Sequence, residues 1–304
     1  MIEATKQKNG QSTMQIAIHI GANCTDDDRI LKSLLKNGSA FADNGIKVPG
    51  PGKYRRLLRE TIQNLNGAPP AENTRGILLD AIVDDEDVRR LVMSNANFIC
   101  VPNRIFDGGI LYEQAEAKIH ALHQLFPDDE IEIFLALRNP ATFLPVAFAE
   151  SKATTPEAYL QGLHPTQIRW SDLVRRIQGL FPMTQLTVWC NEDTPMIWAE
   201  IMRAMSGVDQ DQKITGGFDL LASIMSDEGL NRFLNYLRIH PPKTEMQKRR
   251  VIAAFLDKYA QDDKIEEDVD MPGMTDDMVE ELSQIYENDV AFIAQLPGVD
   301  FITP

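Results

Sequence analysis

Cysteine and positive charge are in short supply in this chain, and each shortage closes off a class of protein. Three cysteines occur among 304 residues; Cys24, Cys100 and Cys190 are an odd number spaced far apart. They do not frame a disulfide-stapled fold, and a reducing cytoplasmic compartment is the expected setting. Lysine and arginine total 30 against 45 aspartates and glutamates, for a net charge of −15. Such a field repels polyanions, so neither nucleic acid nor an anionic membrane is expected as a partner. No apolar run approaches the ~20 residues that cross a bilayer. The polar segment 1–14 has no apolar stretch of the kind a signal or transit peptide needs.

What is present is an ordinary globular composition, 43% hydrophobic and 25% charged, with enough chain for a large core. Apolar runs at Gln15–Ile20, Gly45–Val48, Gly76–Val83, Asn97–Val101, Glu130–Leu137 and Gln185–Cys190 predict strands. Helix-period segments at Asp26–Lys36, Lys53–Leu65, Asp84–Met93, Tyr112–Phe126, Ala141–Ala149 and Pro165–Leu180 predict helices between them. The alternation implies an α/β fold of three layers, mainly parallel strands with helices on both faces. Thr194 is expected to N-cap a helix whose first residue is Pro195. Beyond it only helices are expected, at roughly 196–205, 219–238, 244–260 and 276–296, with an acidic loop from Ile265 to Gly273. The expected organisation is a polar tail over 1–14, an α/β core over 15–210 and a helical extension over 211–304 packed on that core.

The stretch from Gln15 to Leu35 carries the first functional signal. A strand runs into the tight loop Gly21-Ala22-Asn23-Cys24-Thr25, and a helix follows with Ile30, Leu31, Leu34 and Leu35 on its apolar side. That is the layout of a phosphate-binding loop, in which backbone N–H groups converge and the helix dipole favours an anion. A nucleotide-binding loop would carry Lys and then Ser or Thr; this chain has Cys24-Thr25 followed by Asp26, Asp27 and Asp28. A helix N-terminus contributes roughly 0.3–1 kcal/mol towards holding an anion. A carboxylate about 4 Å from a phosphate repels it by about 4 kcal/mol at an effective dielectric of about 20. One badly aimed aspartate outweighs the dipole. A capping box accounts for the same residues, with Thr25 as N-cap and Asp28 at the third helical position, and both readings stand at this point.

A second motif, Arg138-Asn139-Pro140, closes the strand Glu130–Leu137. An arginine at the carboxyl end of a parallel strand stands where open α/β sheets bind ligands, and its planar fork suits a phosphate. Further segments are His19-Ile20-Gly21-Ala22, Pro49-Gly50-Pro51, Trp170-Ser171-Asp172-Leu173 and Val188-Trp189-Cys190-Asn191-Glu192-Asp193-Thr194-Pro195. With these the chain from Gln15 onward resembles a bacterial branch of the sulfotransferase family. The resemblance implies a P-loop sulfotransferase fold and 3′-phosphoadenosine 5′-phosphosulfate as donor. It also implies a hydroxyl on a small molecule or carbohydrate as acceptor. The donor's 5′ end would meet Gly21, Ala22, Asn23, Cys24 and Thr25, and its 3′-phosphate would meet Arg138.

The family carries Lys where Cys24 stands, hydroxyl residues where Asp27 and Asp28 stand, and Ser where Val146 stands. In its chemistry a base takes the acceptor's proton while the Lys steadies charge on the bridging oxygen. Losing one such preorganised donor costs roughly 2.7–4 kcal/mol of transition-state stabilisation. Two functions therefore compete: a sulfuryl transferase weakened at its donor site, and a non-catalytic relative that binds a ligand or a partner protein. A nucleotide kinase or NTPase would need a Lys after the loop glycines.

Glu192 and Asp193, past the strand Gln185–Cys190, and His19, just before the loop, are the candidate bases. Packing and first-turn roles compete for all three. Arg29, Lys32 and Arg55 are the near cations offered as substitutes for the missing Lys. His120 and His123 lack further ligands nearby in sequence, so no metal is expected. Trp170, Trp189 and Trp198 are expected to pack in the core. The basic cluster Lys53, Arg55, Arg56 and Arg59 follows the Pro49–Gly52 turn and would suit an acidic ligand.

Overall fold

Residues 13–84, 87–209, 212–265 and 270–304 are described by a computed structural model. In chain order its elements are β1 (Gln15–His19), α1 (Arg29–Leu35), α2 (Gly38–Ala42), β2 (Ile46–Lys47), α3 (Pro51–Leu65), α4 (Thr74–Ile82) and β3 (Arg90–Ser94). Then come α5 (Ala115–Leu125), β4 (Glu130–Leu137), α6 (Pro140–Glu150), α7 (Pro156–Leu160), α8 (Trp170–Leu180), β5 (Gln185–Cys190) and α9 (Thr194–Ser206). The C-terminal third holds α10 (Asp219–Ile224), α11 (Asp227–Ile239), α12 (Glu245–Tyr259), α13 (Asp262–Ile265), α14 (Asp276–Ile293) and β6 (Val299–Ile302).

The strands form one sheet in the order β2-β3-β1-β4-β5-β6, with every neighbouring pair parallel. Period-two alternation divides its buried side chains between two layers. Ile16, Ile18, Leu91, Met93, Ile133 and Val188 point into the core shared with α3, α4, α5, α6, α8 and α14. Ala17, Val92, Phe134, Ala136 and Trp189 point into the core shared with α1, α2, α9 and α10. A satellite cluster around the buried Phe233 ties α10, α11 and α12 together. The expected α/β layering with helices on both faces is present. β1 lies in the middle of the sheet, so the chain reverses its direction of travel across the sheet beside it, and the carboxyl ends of β1, β3 and β4 open the crevice where such sheets bind ligands.

Several boundaries depart from the sequence pattern for identifiable reasons. The apolar run at 76–83 belongs to α4, which buries Leu78 and Ile82, four residues apart, and leaves Ile77 58% exposed. Of the charged helix expected over 84–93, residues 85 and 86 lie outside the described residues, and Arg90–Ser94 form β3 instead. Arg90 is buried there because Glu132 on β4 takes its guanidinium at 2.5 and 2.8 Å, so a charged residue sits inside a strand. Asn97–Val101 lies past the end of β3 as a turn, with no ladder partner. The helix expected over 219–238 breaks at Met225. Ser226 caps α11 through the Gly229 amide and sends its own amide to the Tyr259 carbonyl. Asp193 occupies the N-cap of α9 and Thr194 is its first residue, one position earlier than the proline rule suggests. The chain beyond Pro195 is not all helix, because β6 returns to extend the sheet beside β5. Residues 1–12 of the polar tail and residues 266–269 of the acidic loop expected over Ile265–Gly273 lie outside the described residues, and Ile265 itself ends α13. Among the described residues no helix is long and apolar enough to cross a membrane.

Candidate functional site

The loop after β1 is held from every side. Past His19 the chain keeps pairing with β4: the Ile20 amide donates to Phe134, the Ala22 amide to Ala136, and the Ala136 amide returns to Gly21. Gly21 adopts φ +127°, and a Cβ there would lie 3.0 Å from the Ala96 carbonyl, so only glycine fits. The Asn23 amide donates to the Tyr112 hydroxyl at 2.9 Å, and that hydroxyl donates to Asn23 Oδ1 at 2.7 Å. Asn23 Nδ2 reaches Asn97 Oδ1 at 2.5 Å and the Cys100 carbonyl at 3.0 Å. Two of the amides that could cradle a phosphate are thus spent on the protein itself.

The acidic residues take up the start of α1. Asp26 is buried and accepts the Ile30 amide on Oδ2 at 3.2 Å, so a carboxylate of the chain sits on a helix-end donor that an anion would use. Asp27 and Asp28 both have positive φ, 48° and 62°, a conformation aspartate tolerates as a single residue but a helix does not. The helix therefore starts at Arg29, three residues later than the periodicity suggests. Asp28 is the N-cap by position and makes no side-chain cap bond. The expected capping box is absent, because the Thr25 hydroxyl bonds the Ala22 carbonyl at 2.7 Å.

Arg138 stands at the carboxyl end of β4, buried, and turns towards the loop. Its Nη1 donates to the Cys24 carbonyl and its Nε to Thr142 Oγ1 at 3.3 Å. Cys24 Sγ lies 3.4 Å from Glu150 Oε2. Burial, and then the Glu150 carboxylate, push the Cys24 thiol up to about 12. Half-buried Val146 on α6 offers no donor to an anion.

A polar cluster lies along the ends of β1 and β3. His19 Nδ1 meets Ser94 Oγ at 2.9 Å, while its Nε2 is buried with no hydrogen-bond partner among the described residues, and burial holds the imidazole below its ordinary pKa. His19 is a fully buried core residue beside Trp189, the two rings 5.7 Å apart. Arg55 on α3 grips Asp28 in a bidentate pair at 2.9 and 2.6 Å and also donates to the Ser94 carbonyl. The Asp28 carboxyl is held below its usual range chiefly by those hydrogen bonds from Arg55. Of the cations offered for the missing Lys, Arg55 is thus engaged with Asp28, Lys32 reaches the Asp27 carbonyl, and Arg29 faces Asp27 at 3.8 Å.

The other candidates fall elsewhere. Glu192 accepts the Asn139 amide at 2.7 Å and the Tyr286 hydroxyl at 3.0 Å, fastening the Arg138-Asn139-Pro140 segment to α14. Asn139 caps α6 through the Ala141 amide, and Trp170 Nε1 binds the Arg138 carbonyl. Asp193 is the N-cap of α9 by position, and burial pushes its carboxyl up. Both acids follow the carboxyl end of β5, two strands from β1. His123 stacks on Phe181 and meets Thr184 Oγ1 at 2.9 Å, and among the described residues no group of three or more His, Cys, Asp or Glu could hold a metal. All three tryptophans are buried.

One feature carries no linear signature. Beside the loop, between α3, α5 and residues 95–104, a cavity of about 380 Å³ is lined by Arg55, Arg59, Arg104 and Lys118 and by Leu58, Phe98 and Ile99. Arg55 and Arg59 belong to the basic cluster that the sequence marks as suited to an acidic ligand. Arg104 and Lys118 come from separate segments that only the fold brings to them. Comparison of the chain with protein-family models, curated proteins and solved structures yields no match.

Proposed function

We propose that this chain is a non-catalytic binding protein on a sulfotransferase-like frame, and that it does not bind or use a sulfuryl donor. The central place of β1 in the sheet order, with the loop after it and Arg138 at the end of adjacent β4, supports the likeness of frame. The observation that carries the loss of donor chemistry is the contact from Arg138 to the Cys24 carbonyl. The residue matched to the donor's 3′-phosphate is directed at the backbone of the loop matched to its 5′ end. The Asp26 carboxylate on a helix-end amide and the Glu150 carboxylate beside Cys24 act in the same direction, since each would repel a phosphate brought there.

Calorimetric titration with adenosine 3′,5′-bisphosphate at low salt tests this. The expected result is no heat and no thermal stabilisation. Micromolar binding, about −8 kcal/mol, that Arg138→Ala abolishes would overturn the proposal and restore the transferase reading with a hydroxyl acceptor.

A further inference from the structure

We infer that the cavity between α3, α5 and residues 95–104 is a binding pocket for a small organic anion, an oxyanion head carried on an apolar body. Four cationic side chains line it and, among the described residues, no acidic one does. In a chain of net charge −15, a wall with cations alone is a local inversion of the overall field. That field does not cancel the pocket at short range, because charges are screened beyond about 8 Å at physiological ionic strength.

The four cations differ in how far they are already committed. Arg55 is neutralised behind the wall by Asp28, and Arg104 by Asp107 at 2.6 Å. Among the described residues the Arg59 guanidinium has only a long contact to Glu60, at 4.0 Å. Lys118 is half-buried on α5, and its ammonium makes no hydrogen bond or ion pair with a described residue. Burial, and then the charges of Arg104 and Arg59, lower its pKa. A lysine held between arginines with no counter-charge raises the energy of the empty pocket, and an oxyanion between Lys118 and Arg59 would relieve it through charge-assisted hydrogen bonds.

The apolar lining specifies the rest of the ligand. Leu58, Phe98 and Ile99 in its lining are buried, whereas Arg59 and Arg104 are exposed, so the pocket pairs apolar surface with charged groups. Its volume, about 380 Å³, is at the lower end of the range for small-molecule sites. Carboxylate, sulfate and phosphate esters share the required head, and the test separates them. The inference uses none of the loop's residues in binding and stands whether or not the loop binds a donor.

The experiment titrates the full chain with 4-nitrophenyl sulfate, 4-nitrophenyl phosphate, 4-nitrobenzoate and the uncharged 4-nitrobenzyl alcohol. At least one anion is expected to bind with a submillimolar Kd and the alcohol about tenfold more weakly or worse, and the tightest anion names the head group. Lys118→Gln should weaken that anion about tenfold while leaving the melting temperature unchanged or raised, because it removes an uncompensated charge. Arg59→Gln, on an exposed side chain, should act in the same direction and keeps the test decisive if Lys118→Gln fails to fold. Equal binding of the alcohol, undiminished binding in the variants, or no binding of any of the anions would overturn the inference. Binding lost in Arg138→Ala but kept in Lys118→Gln would move the anion to the loop, overturning this pocket and the proposed loss of donor binding together.

Discussion

The loop after β1 and the cation-lined cavity lie side by side and share Asn97 and Cys100, yet they are opposites. The loop has the layout of an anion site, strand then turn then helix, but its amides go to Ala136 and Tyr112, its nearby arginine to Cys24, and its helix end to Asp26. The cavity has no recognisable layout, being assembled from a helix, a loop and a second helix, and it keeps a lysine uncommitted. What distinguishes a binding site from its outline is where the donors are already spent. A backbone path favours an anion only if its N–H groups and neighbouring cations face empty space.

The largest way to disturb this contrast is Asn23→Ala. Asn23 is 1% exposed, joins the loop to the cavity wall through Asn97 and Cys100, and also bonds the buried Tyr112. Truncation strands the buried Cys100 carbonyl and the Tyr112 hydroxyl proton, each of which costs about 1–3 kcal/mol when left unpaired. A loss near 3 kcal/mol in urea unfolding is expected, along with weaker anion binding as the wall loosens. A loss below about 1 kcal/mol would mean that the loop is held by something other than this network.

Asp28→Asn is smaller and sharper. The folded Asp28 carboxyl is held below its ordinary range by Arg55. The stabilisation from the pair is therefore complete above the unfolded carboxylate pKa, about 3.9, and is lost as pH falls through the folded value. The half-exposed pair is screened, so about 1 kcal/mol is expected at pH 7, with wild-type and variant stabilities converging in acid below pH ~4. Because Arg55 also lines the cavity, freeing it should tighten anion binding a few-fold. Parallel stability curves down to the acid limit, or unchanged anion affinity, would separate Asp28 from the cavity.

Much of the frame is legible in the sequence, and the reasons are local. Glu130–Leu137 and Gln185–Cys190 are long apolar runs bounded by turn residues, and the structure gives them the same limits. What escapes depends on distant partners. Arg90 reads as helical charge until Glu132 is placed beside it, and Val299–Ile302 becomes a strand only by docking on β5. The site follows the same rule. Gly21, Cys24, Thr25 and Arg138 can be singled out by spacing, but the direction of the Arg138 guanidinium is set by a loop 114 residues away. Lys118 acquires meaning only when Arg59 and Arg104 stand around it.

The smallest predicted effect probes the loop's own electrostatics. In a working phosphate loop, converging amides and a helix dipole would lower the pKa of a cysteine placed there. Here burial and Glu150 push the Cys24 thiol up to about 12, and burial takes Cys100 and Cys190 to about 12 as well. At pH 8.5 the thiolate is scarce, so iodoacetamide should alkylate all three on the order of a thousandfold more slowly than a free cysteine. Glu150→Gln removes only the second-largest cause, on an exposed side chain, so Cys24 should speed up between about threefold and tenfold while Cys100 and Cys190 stay unchanged as internal standards. Peptide-resolved mass spectrometry reads each site separately. An unchanged Cys24 rate would mean that the Glu150 carboxylate does not bear on the loop. Alkylation of wild-type Cys24 at the free-cysteine rate would mean that unspent amides govern the thiol, and the difference between loop and cavity would then collapse, because the loop would be an open anion site after all.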